Sequence, residues 1–484
     1  MLFLVLASCL VLLAWVCREV FFAPLSNLPG PFLARFTALR EFASVYRGRY
    51  ELENIQLHRR YGSVVRLAPG RYSLNTPGAA AELYRTGYRY RKGFFYYAFG
   101  DPDNSRADLF TETNSDRHVT KRRKIASLYS MTAMLSFEAV IDRKAEALCC
   151  RFKEFAATGQ SFDVRCWMQF FAFDVIGEIS LGESFHYLSH GWDHNGILKA
   201  IRHTILYGAH MGIFSWLHWH VATFAQVLRV PIPFDLVTAH ILRYMDCTED
   251  RLGKDTILTK LLQWQAEKKR NVTRLDIFNA VGSNIAAGTD TIAISLGTAM
   301  YMLLKHPSAL RKLREEIDGF AVNEQINTSF SFKQASHMPY LQACIKETFR
   351  IHPPTSYPLV RIVPETGAVI DGTFFPPETT VGVNPWALHY NEQIFGPDAS
   401  VFRPERWMQD HETVVQMEKN LLTFGCGAYM CLGKSLAQLE MSKLLPQLFR
   451  IFNFQLVDYD RPWHTSSAWL VEQTYRCTVS TRDG

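Results

Sequence analysis

The chain has 484 residues, of which 48% are hydrophobic and 20% are charged. This composition excludes a mainly disordered protein, because so much apolar material can fill a large core. The net charge of +6 is too small over this length to argue for nucleic acid as a partner. The 10 cysteines show no regular spacing, which predicts a reducing compartment rather than a disulfide framework.

The N-terminal segment is apolar, and residues 2–17 contain no charged side chain. As a helix it nearly reaches across the endoplasmic reticulum membrane. Arginines follow the apolar run and no basic residue precedes it, so the positive-inside rule leaves the rest of the chain in the cytosol. We therefore expect a membrane anchor in residues 1–24 and one large domain over residues 25–484. A cleaved signal peptide is the alternative, although no clear cleavage site supports it.

Proline and glycine separate the elements that the hydrophobic pattern predicts. In chain order these are two short strands in 60–76, mainly helices over 115–350 with one long apolar helix over 275–305 and another over 340–351, short strands over 355–385, and a helix over 434–451. The long apolar helix begins at a capping box formed by Thr273 and Asp276. The pattern predicts a mainly α-helical single domain with small β-sheets.

A glycine-rich turn surrounds Cys431 and is followed by a helical pattern. The N-terminus of a helix lowers the pKa of a nearby thiol. A thiolate in this position is suited to be the axial ligand of a haem iron, where it favours O–O cleavage. The alternative is a buried structural cysteine, and this segment alone does not decide between them.

The same turn also fits a loose phosphate-binding loop. Its residues would be Ala428, Gly433, Lys434 and Ser435, with alanine in place of the first glycine. Such a loop should follow an apolar strand, and no strand pattern precedes this one. The context therefore argues against a P-loop NTPase.

Polar residues interrupt the long apolar helix at Gly288 and the three residues after it. A glycine inside a helix costs about 1 kcal/mol relative to alanine. A gap in the backbone ladder beside Asp290 and Thr291 could hold a water or a dioxygen molecule. The alternative is a kinked core helix without a chemical role.

In their order and spacing, these motifs resemble those of the cytochrome P450 family over essentially the whole chain. The matching motifs are Ala287-Gly288-x-Asp290-Thr291, Glu347-x-x-Arg350, Pro404-Glu405-Arg406-Trp407 and Phe424-x-x-Gly427-x-x-x-Cys431-x-Gly433. Residues 61–69 and 122–131 are most similar to fungal microsomal members of secondary metabolism. The resemblance implies a P450 fold, with haem b between a long central helix and the cysteine loop.

The resemblance also implies a role for individual residues. Cys431 would ligate the iron, and Asp290 and Thr291 would relay protons during oxygen activation. The residues expected to form a buried structural charge network are Glu347, Arg350 and Arg406. The residues expected to contact the haem are His118, Arg122, Arg361, Phe424, Gly427, Tyr429 and Gly433. Tyr429 departs from the family, which usually has Arg or His there to bind a haem propionate.

The function implied is a haem-thiolate monooxygenase that oxidises an apolar small molecule with O2. Its electrons would come from NADPH through a separate NADPH–cytochrome P450 reductase, and its product would be a fungal terpenoid, polyketide or alkaloid. The expected location is the endoplasmic reticulum membrane, with lipid as a partner and the catalytic domain in the cytosol. Apolar walls are expected from residues 90–99 and 205–214. The alternative is an oxygen-independent haem-thiolate isomerase or dehydratase, against which the pair Asp290 and Thr291 argues.

Overall fold

The computed structural model describes residues 14, 16–85, 87–230, 233–246, 255–326 and 329–482. Most of the apolar run expected to form the membrane anchor, residues 2–13 and 15, lies outside these residues. Within the described part, no helix is both long enough and apolar enough to cross a membrane.

Helices form most of the described structure, as the hydrophobic pattern predicts. Their bounds are α1 Leu39–Tyr46, α2 Tyr50–Tyr61, α3 Pro77–Arg85, α4 Ser115–Ile125, α5 Met131–Leu135, α6 Glu138–Thr158, α7 Val164–Leu181, α8 Tyr187–His190, α9 Ile197–Met211, α10 His218–Val227, α11 Pro233–Asp246, α12 Ile257–Ala266, α13 Arg274–Ala287, α14 Asp290–Lys305, α15 Pro307–Asn323, α16 Phe332–Ser336, α17 Pro339–Ile351, α18 Pro385–His389, α19 Glu392–Phe395, α20 His411–Lys419 and α21 Lys434–Ile451. Short 3₁₀ turns lie at Phe94–Phe99, Gly212–Leu217, Pro404–Met408 and Gly427–Tyr429, among others.

The strands are short and form four small sheets among the described residues. Their bounds are β1 Val64–Ala68, β2 Arg71–Leu74, β3 Arg91–Lys92, β4 Phe162–Asp163, β5 Arg361–Ile362, β6 Ala368–Ile370, β7 Thr373–Phe375, β8 Thr380–Val383, β9 Phe452–Leu456, β10 His464–Ser467, β11 Val471–Thr474 and β12 Arg476–Thr481. The largest sheet has the order β1-β2-β8-β5-β3, and the others pair β10 with β11, β6 with β7, and β12 with β4 and β9. The predicted Pro-Gly turn joins β1 and β2 as an antiparallel pair.

The core of the helical layer lies between α7 and α14. Phe171 and Phe173 of α7 and Leu296 of α14 are fully buried. Asp163 caps the start of α7 by accepting a hydrogen bond from the Cys166 backbone N–H at 3.1 Å, a favoured way to satisfy a free helix donor. Because α7 is buried on nearly all sides, it supports α14 as a fixed element in the centre of the molecule.

The long central helix predicted over 275–305 is broken into two helices at Gly288 and Thr289, where the sequence indicated a gap or a kink. The chain forms α13 and α14, with Gly288 and Thr289 between them. The apolar pattern runs across the break because both helices are buried, so the signal for the break is Gly288 and the polar residues after it rather than the periodicity. The predicted capping box of Thr273 and Asp276 is confirmed at the start of α13.

Two threonine hydroxyls stabilise the break. Thr289 Oγ1 donates to the Ile285 carbonyl at 3.3 Å, and Thr291 Oγ1 donates to the Ala287 carbonyl at 2.7 Å. Such bonds from a threonine to the carbonyl one turn earlier bend helices. Asp290 and Thr291 are therefore the first residues of α14, directly after an irregular backbone segment.

Candidate active site

The loop that carries Cys431 is shaped by two glycines between α20 and α21. Gly425 has φ +65° and Gly427 has φ +64°, a left-handed conformation that other residues adopt at a cost. A Cβ atom at Gly427 would lie only 1.9 Å from the Tyr84 carbonyl oxygen of α3. The Cys431 backbone N–H closes the loop by donating to the Phe424 carbonyl at 2.8 Å. Glycine is thus required where the loop meets α3.

The environment of the Cys431 thiol combines opposing effects. The backbone N–H groups of Gly433 and Lys434 and the charge of Arg122 lower its pKa, but loss of hydration among the surrounding protein atoms raises the pKa by more. Cys431 nevertheless retains solvent exposure, so this burial is incomplete. The N–H groups at the start of α21 therefore lower the pKa of the Cys431 thiol, as predicted, although burial raises it by more.

The phosphate-binding interpretation of this loop does not agree with the structure. Helix α20 and a turn, rather than a strand, precede Phe424. A phosphate-binding loop needs a strand that ends at the loop. Gly433 has an ordinary φ of −74°, and a Cβ there would only contact Cys431 Sγ at 3.7 Å.

Basic side chains gather around Tyr429 from three elements. Helix α4 contributes His118, whose ring centroid lies 4.5 Å from that of Tyr429, and strand β5 contributes Arg361, whose guanidinium carbon lies 4.6 Å from the Tyr429 ring centroid. Strand β3 contributes Lys92, whose Nζ lies 5.2 Å from the same centroid. Arg122, one turn after His118, lowers the pKa of both Lys92 and His118 by repulsion. Lys92 is the member that sequence reasoning missed.

The cations in this cluster repel one another. Burial, and next the charge of Arg361, lower the pKa of Lys92 from 10.5 to about 7. Burial and the charge of Lys92 lower the pKa of His118 to about 3, so its imidazole is neutral at physiological pH. Such repulsion inside a protein is compensated when an anion binds between the cations.

Unpartnered nitrogen atoms also indicate that an anion binds in this cluster. His118 Nδ1 and Arg361 Nε are buried and have no hydrogen-bond partner among the described residues. Buried polar atoms without partners are uncommon in folded proteins. Together with a nearby cysteine in a glycine-shaped loop, a buried cation cluster fits haem b, which carries two carboxylates and binds a thiolate at its iron.

Tyr429 occupies the position where the family usually has a cation. Its hydroxyl lies 3.1 Å from Ser115 Oγ, at the start of α4. Burial raises the pKa of the phenol, so Tyr429 stays neutral. Its ring provides a surface on which Arg361 and Lys92 pack by cation–π contact.

Asp290 is buried on the side of α14 that faces α7. Its Oδ1 accepts a hydrogen bond from Gln169 Nε2 at 2.5 Å and lies 3.5 Å from Arg165 Nη2. Burial raises the pKa of this carboxyl to about 6, against the opposing charge of Arg165. Thr291 is half-buried and is bound to Ala287, so the two neighbours do not hydrogen-bond to each other here.

The carboxylate of Glu347 joins α17 to the turn at Pro404–Met408. It accepts hydrogen bonds from Arg350 Nη2 at 2.7 Å, Arg350 Nε at 2.8 Å and Trp407 Nε1 at 2.9 Å. Arg406 Nε lies 3.5 Å away, and Glu347, Arg350 and Arg406 are almost fully buried. The structure thus brings the three residues of the expected network into one group.

Aromatic side chains form a cluster in the segments that were expected to provide the apolar walls. Phe95 stacks on Tyr357 with a centroid distance of 4.3 Å, and Phe99 contacts Trp469 at 5.3 Å. The expected segments 90–99 and 205–214 meet in this cluster, because Phe95 and Ile213 belong to the same buried group. Trp469 was not predicted, since only the β10–β11 hairpin brings it here. The sequence contained one signal that could have identified Lys92 as a site residue, namely a charged residue within an aromatic stretch.

Comparison with known proteins agrees with this geometry. The family model described as "Cytochrome P450" matches residues 29–478. The chain belongs to the cytochrome P450 family. It is 37% identical to pisatin demethylase of Fusarium vanettenii, over 97% of this chain and 91% of that protein. It is 33% identical to cytochrome P450 monooxygenase cicH of Emericella nidulans, over 92% of each chain.

A third relative is longer than this P450. The chain is 32% identical to cytochrome P450 monooxygenase mpaDE of Penicillium brevicompactum, over 93% of this chain and 54% of that protein.

Membership of the cytochrome P450 family makes the protein a haem-dependent monooxygenase, with a cysteine thiolate as the axial ligand of the family's haem. It also implies O2, a substrate and an electron-donating partner.

Proposed function

We propose that this P450 oxidises an apolar small molecule in fungal secondary metabolism, as a single catalytic domain over residues 25–484. The substrate class would be a terpenoid, a polyketide or an alkaloid, and NADPH–cytochrome P450 reductase would supply the electrons. The observation that carries the proposal is the placement of Cys431, in its glycine-shaped loop, near a buried cluster of basic side chains with unpartnered nitrogen atoms.

When bound, haem would supply the activation of O2, so that one oxygen atom enters the substrate and the other leaves as water, with two electrons from the reductase and two protons. Cys431 would hold the iron through its sulfur, and Gly427 would keep the loop close to α3. Arg122, Arg361 and Lys92 would bind the two propionates, with His118 as a neutral donor through Nδ1. Phe424, which packs on Phe349 at 4.9 Å, and Gly433 would lie beside the ring.

The proton-transfer role belongs to Asp290 and Thr291. A carboxyl whose pKa is raised to about 6 can both accept and release a proton near neutral pH. The Thr291 hydroxyl would pass that proton on by exchanging its bond to the Ala287 carbonyl for one to a water. Glu347, Arg350 and Arg406 would act only by keeping α17 in place.

We further propose that the protein lies on the endoplasmic reticulum membrane through residues 1–24 and a second apolar surface. That surface consists of Trp216, Trp219, Phe224 and Val227, which are 70%, 54%, 65% and 73% exposed. Tryptophan and phenylalanine on an exposed face favour the membrane interface. Deleting residues 1–24 should release much of the protein from microsomes, while a mature protein cleaved near residue 24 would instead support a signal peptide.

The ligand assignment can be tested with the reduced, carbon-monoxide-bound protein. We expect the red-shifted Soret band of thiolate ligation in the wild type and in Cys426→Ser, and its loss in Cys431→Ser. Cys426 is a matched control because it lies in the same loop and is free. A band that survives in Cys431→Ser and disappears in Cys426→Ser would refute the assignment. NADPH-dependent and O2-dependent product formation with purified reductase separates a monooxygenase from an isomerase or dehydratase.

A further inference from the structure

A row of charged side chains leads from Asp290 to the protein surface. Arg165 Nη2 on α7 lies 3.5 Å from Asp290 Oδ1 and 3.0 Å from Glu472 Oε1 on β11. Arg202 Nη2 on α9 lies 3.1 Å from Glu472 Oε2. The exposed fraction of the side chains is 4% for Asp290, 12% for Arg165, 17% for Glu472 and 54% for Arg202. The row therefore connects the interior with solvent.

The opposite charges in this row are not evenly paired. One nitrogen of Arg165 serves two carboxylates, and it is closer to Glu472 than to Asp290. The Nε atom of the same guanidinium is buried and has no hydrogen-bond partner. Asp290 is thus only partly compensated, and how strongly Arg165 stabilises its charge depends on Glu472.

Glu472 and Arg202 are accessible from outside the core. Both line a small cavity of about 40 Å³ between α9 and the β10–β11 hairpin, together with Ile205, Leu206 and Leu470. Solvent can therefore reach this end of the row, whereas Asp290 itself is covered.

We propose that Glu472 and Arg202 are positioning residues that control the protonation of Asp290 through Arg165. This inference rests on the proposed role of Asp290 in proton transfer. Neither residue touches the reacting atoms, and each acts by changing how much positive charge the buried carboxyl experiences.

The direction of each effect follows from the charges that face Asp290. Arg165 and Gln169 of α7 and Arg202 of α9 lower the pKa of the carboxyl, whereas Glu472 of β11 raises it. Burial is the largest effect and raises the pKa to about 6. Removing the negative charge of Glu472 should therefore lower the pKa of Asp290, and removing the positive charge of Arg202 should raise it.

The test is a pH titration of the carboxyl band of Asp290 by infrared spectroscopy of the haem-loaded protein. Subtracting the spectrum of Asp290→Asn isolates this group from the other carboxyls. Glu472→Gln should lower the titration midpoint by about half a pH unit or more, and Arg202→Gln should raise it by less, because Arg202 is 54% exposed and has the smaller effect on Asp290. Arg202→Lys should bring the midpoint back towards the wild-type value, since it restores the charge.

Glu154→Gln is the matched control, because Glu154 also pairs with an arginine but is 62% exposed on α6. Its midpoint should equal that of the wild type. The carbon-monoxide difference spectrum identifies variants that fold and hold haem. Midpoints that do not move, or that move in the same direction in Glu472→Gln and Arg202→Gln, would overturn the proposal. Opposite shifts combined with normal turnover in Asp290→Asn would support it and would refute the proton-transfer role instead.

Discussion

Replacing Lys92 with methionine tests whether the buried cation cluster holds the haem propionates. Methionine keeps an unbranched side chain of similar length and removes the charge. Lys92 is only 6% exposed, and its Nζ donates to the carbonyls of Leu109 and Phe110 at 2.5 and 3.0 Å. The repulsion from Arg361 that lowers its pKa should become a shared attraction when an anion lies between them. We expect Lys92→Met to weaken haem retention.

The magnitude follows from the type of bond that is lost. A hydrogen bond to a charged group contributes about 1.5–3 kcal/mol, which corresponds to about 10- to 150-fold faster haem loss. Arg361→Met should have an effect of the same order, because Arg361 is 4% exposed and its Nε has no partner. Tyr429→Phe removes only a neutral bond to Ser115 and keeps the ring, so it should change the rate less than about fivefold.

The assay is the rate of haem transfer to excess apomyoglobin at constant pH. Lys124→Met is the matched control, because Lys124 is also largely buried but pairs with Asp276 at 2.7 Å, and it should retain haem like the wild type. The reasoning would be refuted if Tyr429→Phe lost haem faster than Lys92→Met and Arg361→Met. The phenol would then be a main propionate anchor.

Three further predictions follow from buried groups. Glu347→Gln should lower the free energy of unfolding in urea by about 3–5 kcal/mol, because buried arginines lose their partner, whereas Glu418→Gln in an exposed pair should cost less than about 1 kcal/mol. Thr291→Ala should keep haem but release more hydrogen peroxide per NADPH consumed, and Asp290→Asn should slow turnover. If peroxide release and turnover rate were unchanged in both variants, the two residues would have no role in proton relay. Burial lowers the pKa of Lys92 from 10.5 to about 7, so the unfolded chain binds this proton more tightly, and haem-free protein should gain stability as pH rises from 7 towards 10. Lys92→Met should lose that gain in urea titrations.

The sequence by itself determined the features that depend on neighbouring residues. Pro339 and the residues before Pro353 predict the bounds of α17, and Lys434–Ile451 matches the predicted last helix. These signals are local, because a helix begins and ends where its own backbone donors and acceptors find partners. The order of the short motifs also indicated the family, and with it Cys431 as the candidate ligand.

Only the tertiary structure decided which distant residues share a site. Lys92 reaches Tyr429 because β3 pairs with β5, and Arg165 reaches both Asp290 and Glu472 because α7 packs beside α14 and the β10–β11 hairpin. Burial then lowers or raises the pKa of these groups by amounts that no local pattern contains. The sequence shows which residues carry a charge, but only the fold decides which opposite charges lie within a few ångströms to compensate it.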